Sequence, residues 1–513
     1  MKDKRKTDKK WLLELLNRRV IIALLIIAQF AFLSYLIISS SRLSQSISAV
    51  FSALSILVAL HIVSKKGQGA YKLSWMFLVL AFPLLGGFLY LFFNLQASRR
   101  IASKRSQRAD RRMAEYLSLP KSALDEAKSR YPQYSKQIGY LQNTVGFPVY
   151  DKTTTRYLSP GEEFLPALLE ELEKAQKYIF LEFFIIEEGE MWGSILEVLK
   201  RKAQEGVRVR ILYDDIGCFL LLEKDYVEKL KAFGIEAAVF NPFKPVLSAV
   251  QNNRDHRKIV SIDGRVAFTG GINLADEYIN AYEKHGYWKD SAIMLSGKGA
   301  WSLTLIFLQN WALVTGAEDD IPAFFPNFED ETDGFVQPYA DSPLDSEPVS
   351  QEVYMQMIHD AKRTLYIMTP YLIIDDNMVS ALVLSAKSGV DVRIITPKVW
   401  DKKAVHMTTR SYYPELVKGG VRVYEYTPGF IHSKIMLIDD EVASIGTVNL
   451  DFRSLYLHFE CGVKLYGSSA VNSIKEDFLK TLERSEEISG KDIKNGFLRR
   501  LFRDILRLFA PLM

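Results

Sequence analysis

The sequence is poor in cysteine, and its glycine and proline contents are ordinary. The two cysteines, Cys218 and Cys461, are too few for a disulfide framework and lack the Cys-x-x-Cys spacing of zinc and redox sites. The 29 glycines and 18 prolines among 513 residues exclude a collagen-like or low-complexity chain. We therefore expect a globular protein without a catalytic cysteine, compatible with a reducing compartment.

The chain also lacks a strong charge of one sign, since its net charge is only +4. Its basic residues are concentrated at residues 2–19, at 99–112 and at the C-terminal end. Each cluster adjoins an apolar stretch, which indicates attraction to anionic lipid headgroups more than a nucleic-acid-binding surface. The alternative for any single cluster is solvated surface charge.

Three apolar stretches follow the first basic cluster. Residues 20–38 are almost wholly apolar and long enough to cross the hydrocarbon core as a helix. More apolar sequence follows at once, which favours an anchor over a cleaved signal peptide. The second candidate, residues 47–63, contains three serines, and the third, residues 73–93, is interrupted by Pro83 and two glycines.

The charges flanking these stretches bear on their topology. Lysine and arginine counts place both the N-terminus and the segment after residue 93 on the cytoplasmic side. Three membrane-spanning helices would instead put these two ends on opposite sides. Either one stretch is re-entrant or interfacial, for which residues 73–93 are the best candidate, or the charge rule fails at one end. We predict a multi-pass protein of the cell membrane with a cytoplasmic catalytic region.

Beyond residue 120 or so, short apolar runs rich in β-formers alternate with amphipathic helical stretches, which predicts α/β layers. The pattern then repeats. The matching blocks, each a helix end followed by a strand, are 175–181 with 361–367, 206–211 with 389–394, and 234–237 with 420–423. The first copy carries an extra loop at residues 243–255. A duplicated apolar pattern would explain the strands, but it would not explain the polar residues that also match.

Those polar residues form the pattern His-x-Lys-x4-Asp, which occurs twice, at His256/Lys258/Asp263 and His432/Lys434/Asp439. A single chance match has odds of roughly a few per cent in a chain of this composition. In a strand, residues two apart face the same way, so each histidine should project beside its lysine. The aspartates follow at an odd spacing, and we expect them to support a turn rather than touch substrate.

Two further pairs of polar residues accompany the motifs. Asn273 and Asn449 each stand seventeen residues after a motif histidine, and the small residues before them should let backbone and amide approach a phosphate. An imidazole nucleophile also needs an acceptor on its other nitrogen. Asp290 and Glu460 are the candidates, and the alternative for each is an ordinary strand-end carboxylate.

Two histidines, two lysines and two asparagines around a pseudo-twofold axis form a complete set for phosphoryl transfer. One neutral imidazole attacks phosphorus and forms a phosphohistidine, while the other, protonated, donates to the leaving alcohol and later deprotonates the incoming one. The lysines offset charge on the non-bridging oxygens. Because the motif aspartates face away, we predict no cofactor and no metal requirement.

The sequence resembles the phospholipase D superfamily and, more narrowly, the bacterial cardiolipin synthases. The resemblance rests on the doubled motif and on residues 253–259, 270–278, 369–371 and 446–455, and it covers nearly the whole chain. The sequence departs from the family at Ile374, where proline is usual, and at His458, where asparagine is common. Both positions flank the site and bear on the preference for an acceptor.

The resemblance implies an α/β fold with two tandem phospholipase D-type domains, each a mixed sheet flanked by helices, after an N-terminal helical membrane region. It implies transfer of a phosphatidyl group from one phosphatidylglycerol to another with release of glycerol, and no nucleic-acid partner. By the same resemblance, His256 is the nucleophile and His432 the acid/base, with Glu460 and Asp290 orienting the histidines.

The predicted domain organisation has six parts. A membrane anchor region is expected over residues 1–97, a basic juxtamembrane linker over 98–119, α/β domains over 120–317 and 348–496, an acidic linker over 318–347, and a C-terminal helix over 497–513. Apolar residues and arginines alternate at helical spacing in this last segment, which predicts an interfacial amphipathic helix. The alternative is a helix packed on the domain.

Three other functions remain open at this point. A nuclease of the superfamily would share the motifs but would have no use for membrane helices. A phospholipase that releases phosphatidic acid differs only in whether water or a lipid hydroxyl reaches the phosphohistidine. A catalytically inactive scaffold is disfavoured because both motifs are intact. The other histidines are expected to be structural or solvent-facing, namely His61, His285, His359, His406 and His458.

Overall fold

The structure is a computed structural model that describes residues 18–39, 41–94, 97–117, 122–243, 249–328, 331–345, 347–490 and 496–512. The chain divides into two compact units. The helical unit comprises residues 1–102, 243–252 and 505–513, and the α/β unit comprises residues 103–242 and 253–504. Most of the predicted basic cluster at residues 2–19 lies outside the described residues.

The helical unit contains the predicted apolar stretches. Residues 20–38 fall in the 21-residue helix Arg18–Ile38, and residues 47–63 fall in the helix Arg42–Ser64. Among the described residues, Arg42–Ser64 is the helix long and apolar enough to cross a membrane, with 23 residues and a mean hydropathy of 2.2 over its most apolar window.

The third stretch, residues 73–93, is divided into the helices Gly69–Ala81 and Pro83–Asn94. The break falls where Pro83 lacks the backbone N–H that would continue the first helix. The two helices fold back on each other, since the rings of Trp75 and Tyr90 make an edge-to-face contact at 5.5 Å. Each helix is about 20 Å long or less, short of a hydrocarbon core of about 30 Å. The stretch is thus a helical hairpin, the arrangement that the re-entrant alternative requires.

The C-terminal segment forms the helix Phe497–Phe509. Within the helical unit, Ser74 Oγ donates to the carbonyl of Leu508 at 2.5 Å, and the rings of Phe77 and Phe509 lie 5.6 Å apart. The last turn therefore packs on the helix Gly69–Ala81 of the helical unit, whereas the packed-helix alternative named the α/β domain. The first residue, Phe497, is 77 % exposed, as an interfacial helix would require.

The α/β unit contains two copies of one arrangement of strands. The strands of the first copy are β1 Thr153–Leu158, β2 Tyr178–Phe183, β3 Arg208–Asp214, β4 Glu236–Phe240, β5 Ile259–Ile262, β6 Val266–Gly270, β7 Tyr287–Lys289 and β8 Ala292–Gly297. The strands of the second copy are β9 Phe335–Asp341, β10 Thr364–Met368, β11 Leu372–Ile373, β12 Asp391–Pro397, β13 Arg422–Tyr426, β14 Gly429–Ile431, β15 Ile435–Ile438, β16 Val442–Gly446, β17 Leu450–Asp451, β18 Glu460–Tyr466 and β19 Ser485–Glu487.

Helices accompany both copies. Those of five residues or more are Ala97–Leu117, Ser122–Arg130, Ser135–Gly139, Tyr140–Val145 (a π-helix), Gly161–Glu173, Glu190–Gln204, Tyr226–Ala232, Lys298–Thr315, Val349–Asp360, Asp376–Lys387, Lys403–Lys418, Phe452–Tyr456 and Ser469–Glu483. Shorter helical turns are Pro132–Tyr134, Asp215–Cys218, Ala249–Asn252, Asp276–Ile279, Ile321–Phe324 and Ala510–Leu512. The predicted juxtamembrane linker is thus largely the helix Ala97–Leu117.

The two large sheets have the same topology over seven strands, and β19 adds an eighth strand to the second. The first runs β1-β8-β6-β5-β2-β3-β4, and the second runs β9-β18-β16-β15-β10-β12-β13-β19. Strands β2, β3 and β4 are parallel, as are β10, β12 and β13, and the other neighbours in both sheets are antiparallel. The predicted fold class, tandem α/β copies with mixed sheets and flanking helices, is confirmed.

The two copies share a core. Buried side chains of β5, β6 and β8 pack with those of β10, β15, β16 and β18. Helix Lys298–Thr315, buried over most of its length, packs on the first sheet and on β9. Strand β9 lies inside the segment predicted as the linker 318–347 and pairs along its whole length with β18. The second sheet therefore begins before residue 348.

The motif aspartates fix the entry to the central strand of each sheet. Asp263 accepts three hydrogen bonds of 2.8 Å from the backbone N–H groups of residues 176–178. Asp439 accepts three of 2.6–3.0 Å from residues 362–364. Both aspartates have a left-handed backbone, with φ of 51° and 53°. They support a turn, as predicted, but it is the distant turn before β2 or β10 and not their own hairpin.

Replacing Asp439 by asparagine should destabilise the α/β unit. Asparagine tolerates the left-handed backbone but lacks the charge and one acceptor oxygen, so we expect a loss of about 2 kcal/mol. A lower midpoint of thermal unfolding of the full-length protein would show it. The matched control is Asp440→Asn, since Asp440 also has a positive φ of 63° but pairs only with the part-exposed Lys475. The control should change stability by less than about 1 kcal/mol, and equal shifts would contradict the assignment.

Candidate active site

Each motif histidine lies where its own copy meets a strand of the other copy. The backbone N–H of His256 donates to the carbonyl of Phe459 at 2.9 Å, and that of His432 donates to the carbonyl of Lys289 at 2.7 Å. Next to the second contact, β7 of the first copy pairs in parallel with β14 of the second. These contacts place Glu460, which follows Phe459, beside His256, and Asp290, which follows Lys289, beside His432.

Those residues are the two predicted orienting carboxylates. Nδ1 of His256 lies 3.0 Å from both carboxylate oxygens of Glu460. Nδ1 of His432 lies 2.6 Å from Oδ2 of Asp290. The histidine side chains are 8 % exposed and the carboxylates are fully buried. Because Nδ1 is engaged by a carboxylate in each pair, the nitrogen left for chemistry is Nε2 on the far side of the ring.

The electrostatics of these pairs favour neutral imidazoles and ionised carboxylates. Burial lowers the pKa of His256 to about 3 and that of His432 to about 4, although the carboxylates oppose the shift. Burial alone would raise the pKa of Glu460, but His256 and its hydrogen bond lower it. For Asp290, burial is likewise outweighed, chiefly by Lys434 and His432, and its pKa is lowered. Each neutral ring therefore donates its Nδ1–H to a carboxylate anion.

The motif lysines are buried beside the histidines. Lys258 Nζ donates to the carbonyl of His256 at 2.6 Å, and Lys434 Nζ donates to the carbonyl of His432. Burial lowers the pKa of Lys258 to about 8 and that of Lys434 to about 7. Desolvation makes these two charges costly in the free site, and a bound anion would offset that cost.

The two asparagines differ in their surroundings. Asn273 accepts from the N–H of Ile185 at 3.0 Å and donates to the hydroxyl of Tyr278 at 2.7 Å, so both ends of its amide hold the framework. Asn449 is buried, and its Oδ1 has no hydrogen-bond partner in the described parts of the chain. Because the two ends of an amide exchange by a simple flip, Asn449 has an unpaired end that can serve as a donor to a phosphate.

The glycines before these asparagines admit a neighbouring strand. A Cβ on Gly270 would lie 2.4 Å from the carbonyl oxygen of Ser291, and one on Gly446 would lie 2.4 Å from that of Cys461. The backbone of the neighbouring strand therefore occupies the space in which a phosphate was expected. Glycine is needed at these two positions because the paired strands approach closely.

The next position in each copy contacts the orienting carboxylate. In the second copy, Thr447 Oγ1 donates to Oε2 of Glu460. In the first copy the residue is Gly271, where a Cβ would lie 2.1 Å from Oδ1 of Asp290. The sequence-based prediction did not include Thr447. A signal was present, because Thr447 and Gly271 each stand two residues before an asparagine of the site, and only the second copy has a hydroxyl there.

The rings around the two histidines also differ. His432 is surrounded by Tyr278, Trp288 and Phe430, with ring centroids 5.4–5.9 Å away. His256 contacts Phe184 at 5.2 Å and a second imidazole described next. The two halves of the site thus share a motif and a carboxylate but have different walls.

His458 lies inside the site. The expectation that it flanks the site is close to this position, whereas the expectation of a structural or solvent-facing side chain is wrong. Its ring centroid is 5.6 Å from that of His256, and its Nδ1 is 3.8 Å from Oε1 of Glu460. Its side chain is only 10 % exposed. His256, His458 and Glu460 place ligand atoms within 4.8 Å of one another, the one such group of three metal-binding residue types in the described chain.

A buried polar network holds the segment that leads to His256. Asn310 Nδ2 donates to Glu182 at 2.8 Å and to Asp255 at 2.9 Å. Burial raises the pKa of both carboxyl groups above the usual range, which favours retention of a proton between them. Sequence reasoning missed this network because its members come from distant elements and share no motif.

Comparison with known proteins identifies a family for both copies. A family model described as cardiolipin synthase, phospholipase D-like domain matches residues 168–291 and 354–482, one match in each copy. A second model, described as a phospholipase D–nuclease N-terminal region, matches residues 53–93, which include the helical hairpin.

Relatives match over nearly their whole length. A cardiolipin synthase of Alkalihalophilus pseudofirmus is 37 % identical over 91 % of this chain and 94 % of its own, and one of a Geobacillus species is 35 % identical over 96 % and 99 %. An uncharacterized protein of Streptococcus mutans is 41 % identical over 88 % and 99 %.

Among solved structures, a phosphatidylserine synthase of Haemophilus influenzae has the same fold. It superimposes with a TM-score of 0.54 at 15 % sequence identity and covers 72 % of this chain and 98 % of its own. The resemblance inferred from the doubled motif is confirmed by the relatives, whose similarity extends through both copies and the apolar N-terminal region. The chain belongs to the cardiolipin synthase family of phospholipase D-like proteins.

Proposed function

We propose that this protein transfers a phosphatidyl group from one phosphatidylglycerol to another, giving cardiolipin and glycerol through a phosphohistidine. The observation that carries the proposal is the pair of neutral imidazoles, each held through Nδ1 by a carboxylate of the other copy and flanked by a buried lysine. Family membership supplies the phospholipid substrate and the membrane association.

In the first half of the reaction, Nε2 of His256 attacks phosphorus. The new N–P bond forms as the bond from phosphorus to the headgroup glycerol breaks, and His432, protonated, gives its proton to the departing oxygen. Lys258 and Lys434 balance charge on the non-bridging oxygens, and the free end of the Asn449 amide adds a donor.

In the second half, a hydroxyl of another phosphatidylglycerol attacks the phosphohistidine. His432, now neutral, removes the proton of that hydroxyl as the new P–O bond forms and the N–P bond breaks. Cardiolipin leaves, His256 is free again, and His432 carries the proton that it held while substrate was bound, which it loses when the site is empty. Glu460 and Asp290 keep Nε2 of each ring directed at phosphorus through both halves.

The surroundings of His432 support its role as the acid and base. Its pKa is about 4 in the free site, so an arriving phosphodiester anion must raise that pKa to make the protonated form available. The three aromatic rings around His432 have centroids 5.4–5.9 Å from that of the imidazole, within the range over which an aromatic ring attracts a cation. His256 has one such aromatic neighbour, Phe184, which fits a residue that starts neutral.

A lipid hydrolase that releases phosphatidic acid is the second candidate. The same phosphohistidine would be attacked by water in place of a lipid hydroxyl. The ring of Trp288, like those of Tyr278 and Phe430, makes the wall beside His432 apolar, which disfavours a positioned water relative to a lipid headgroup. The products decide between the two.

Incubation of the purified full-length protein with phosphatidylglycerol should yield cardiolipin and glycerol in equal amounts. His256→Ala should abolish both the labelled phosphoenzyme and turnover, by about 10⁴-fold or more. His432→Ala should slow turnover by about 10²–10⁴-fold while the labelled adduct accumulates. The control His359→Ala, at an exposed helical residue, should leave activity unchanged. Phosphatidic acid alone would refute the synthase, and the reverse labelling pattern would exchange the two histidines.

The pH dependence of kcat/KM should reflect the lowered pKa values of the lysines. Since kcat/KM reports groups of the free enzyme, it should decline above about pH 4, where His432 loses its proton, and the decline should steepen as pH rises through 7–8, where Lys434 and then Lys258 lose their charge. Lys434→Arg keeps its charge throughout this range, so its steeper decline should begin at higher pH. The shapes of the two profiles are compared, not their heights, and superimposable profiles would contradict the assignment.

We also propose that the helical unit anchors the chain in the cell membrane as a multi-pass protein, with the catalytic copies on the cytoplasmic side. The basic helix Ala97–Leu117, which follows the last apolar stretch, supports this orientation. Protease added to inverted membrane vesicles should digest the α/β unit, and the same protease should spare it in right-side-out vesicles. Protection in inverted vesicles would refute the orientation.

A further inference from the structure

We propose that His256, His458 and Glu460 form a binding site for a divalent transition-metal cation such as zinc, and that occupancy of this site inhibits the enzyme. The metal site stands on geometry alone. The inhibitory consequence rests on the proposed function, because it assumes that His256 is the nucleophile.

The distances between the three side chains suit a tetrahedral cation. Nδ1 of His256 lies 3.0 Å from Oε1 of Glu460, and Nδ1 of His458 lies 3.8 Å from the same oxygen. Zinc bonds of about 2.1 Å in tetrahedral geometry separate neighbouring ligand atoms by about 3.4 Å. The two separations from Glu460 bracket that value, and all three ligand atoms lie within 4.8 Å of one another, so the side chains must draw together slightly around a bound cation.

His458 has unused hydrogen-bonding capacity at this place. Both of its ring nitrogens are buried, and within the described part of the chain neither has a hydrogen-bond partner. Buried polar atoms in folded proteins are nearly always paired, so an unpaired imidazole beside a carboxylate requires an explanation. A cation bound to one nitrogen would provide it.

The donor set indicates the class of cation. Two imidazoles and one carboxylate match the three-ligand zinc sites that leave a fourth position for water or substrate. Magnesium and calcium prefer all-oxygen sites, and this group offers one carboxylate. Thr447 binds the other oxygen of that carboxylate, so Oε1 of Glu460 remains available without loss of its anchor.

Occupancy would disable the nucleophile directly. In the free site the Nδ1–H of His256 donates to Glu460, which leaves the lone pair on Nε2. A cation bound at Nδ1 requires the tautomer with its proton on Nε2, so the lone pair that attacks phosphorus is lost. The cation also interrupts the hydrogen bond between His256 and Glu460. Inhibition by zinc is therefore compatible with a reaction that needs no metal.

The test is a calorimetric titration of the purified full-length protein in detergent micelles with Zn²⁺, with Mg²⁺ as the comparison cation. One zinc per chain should bind, and magnesium should not. His458→Asn should weaken zinc binding on the order of 100-fold, since it removes one of three ligands. The matched control, His359→Asn, changes an exposed histidine on the helix Val349–Asp360 and should bind zinc like the wild type.

Turnover of phosphatidylglycerol provides the second readout. Zinc should inhibit the wild type, and a chelator should reverse the inhibition. His458→Asn, which introduces the residue common in the family, should need on the order of 100-fold more zinc for half inhibition, measured relative to its own rate without zinc. Equal zinc affinity in the wild type and His458→Asn, or no zinc binding by the wild type, would refute the site. Zinc binding through His458 in a protein that makes neither cardiolipin nor phosphatidic acid would refute the proposed function and leave the metal site intact.

Discussion

The reciprocal hydrogen bonds from His256 to Glu460 and from His432 to Asp290 are the contacts on which the α/β unit depends. Each acceptor comes from the copy opposite its histidine, so neither imidazole can be oriented by one copy alone. The bonds are 2.6–3.0 Å long, and a relative shift of the copies by 1 Å would break them. A shared core between the two sheets prevents that shift, which is why the copies do not behave as independent domains.

Burial shifts the pKa values of the histidines and lysines of the site, and it makes their charged forms depend on a bound anion. Two carboxylates and two lysines, all nearly inaccessible, roughly balance in the free site, and both histidines are neutral. A phosphodiester brings one negative charge into this balance. It stabilises the charged forms of Lys258 and Lys434 and raises the pKa of His432. In the proposed mechanism the substrate thereby generates the acid that the reaction needs, because the pKa of His432 in the empty site is too low for it to hold a proton.

Local patterns in the sequence sufficed for the fold class, the duplication and the two motifs, because strand periodicity and spacing are encoded within a few residues. They also singled out Asp290 and Glu460, but not which histidine each one serves. That pairing follows from strands that cross between copies, and crossing is a long-range property. For the same reason His458 was interpreted as structural, although it lies beside His256. Pro83 is the exception, because a single residue without a backbone N–H was enough to predict the position at which the helical hairpin bends.

The two copies carry the same motif in different surroundings, which suits the different roles proposed for the two histidines. At one aligned position Thr447 binds Glu460, whereas Gly271 only makes room for Asp290. The wall of one histidine is three aromatic rings, and that of the other includes a second imidazole. Two identical imidazoles can share one proton, and either of them could then be the acid while the other is the nucleophile. Different residues around the motif remove that equivalence and favour one assignment, which is how the proposed division of roles uses the differences seen here.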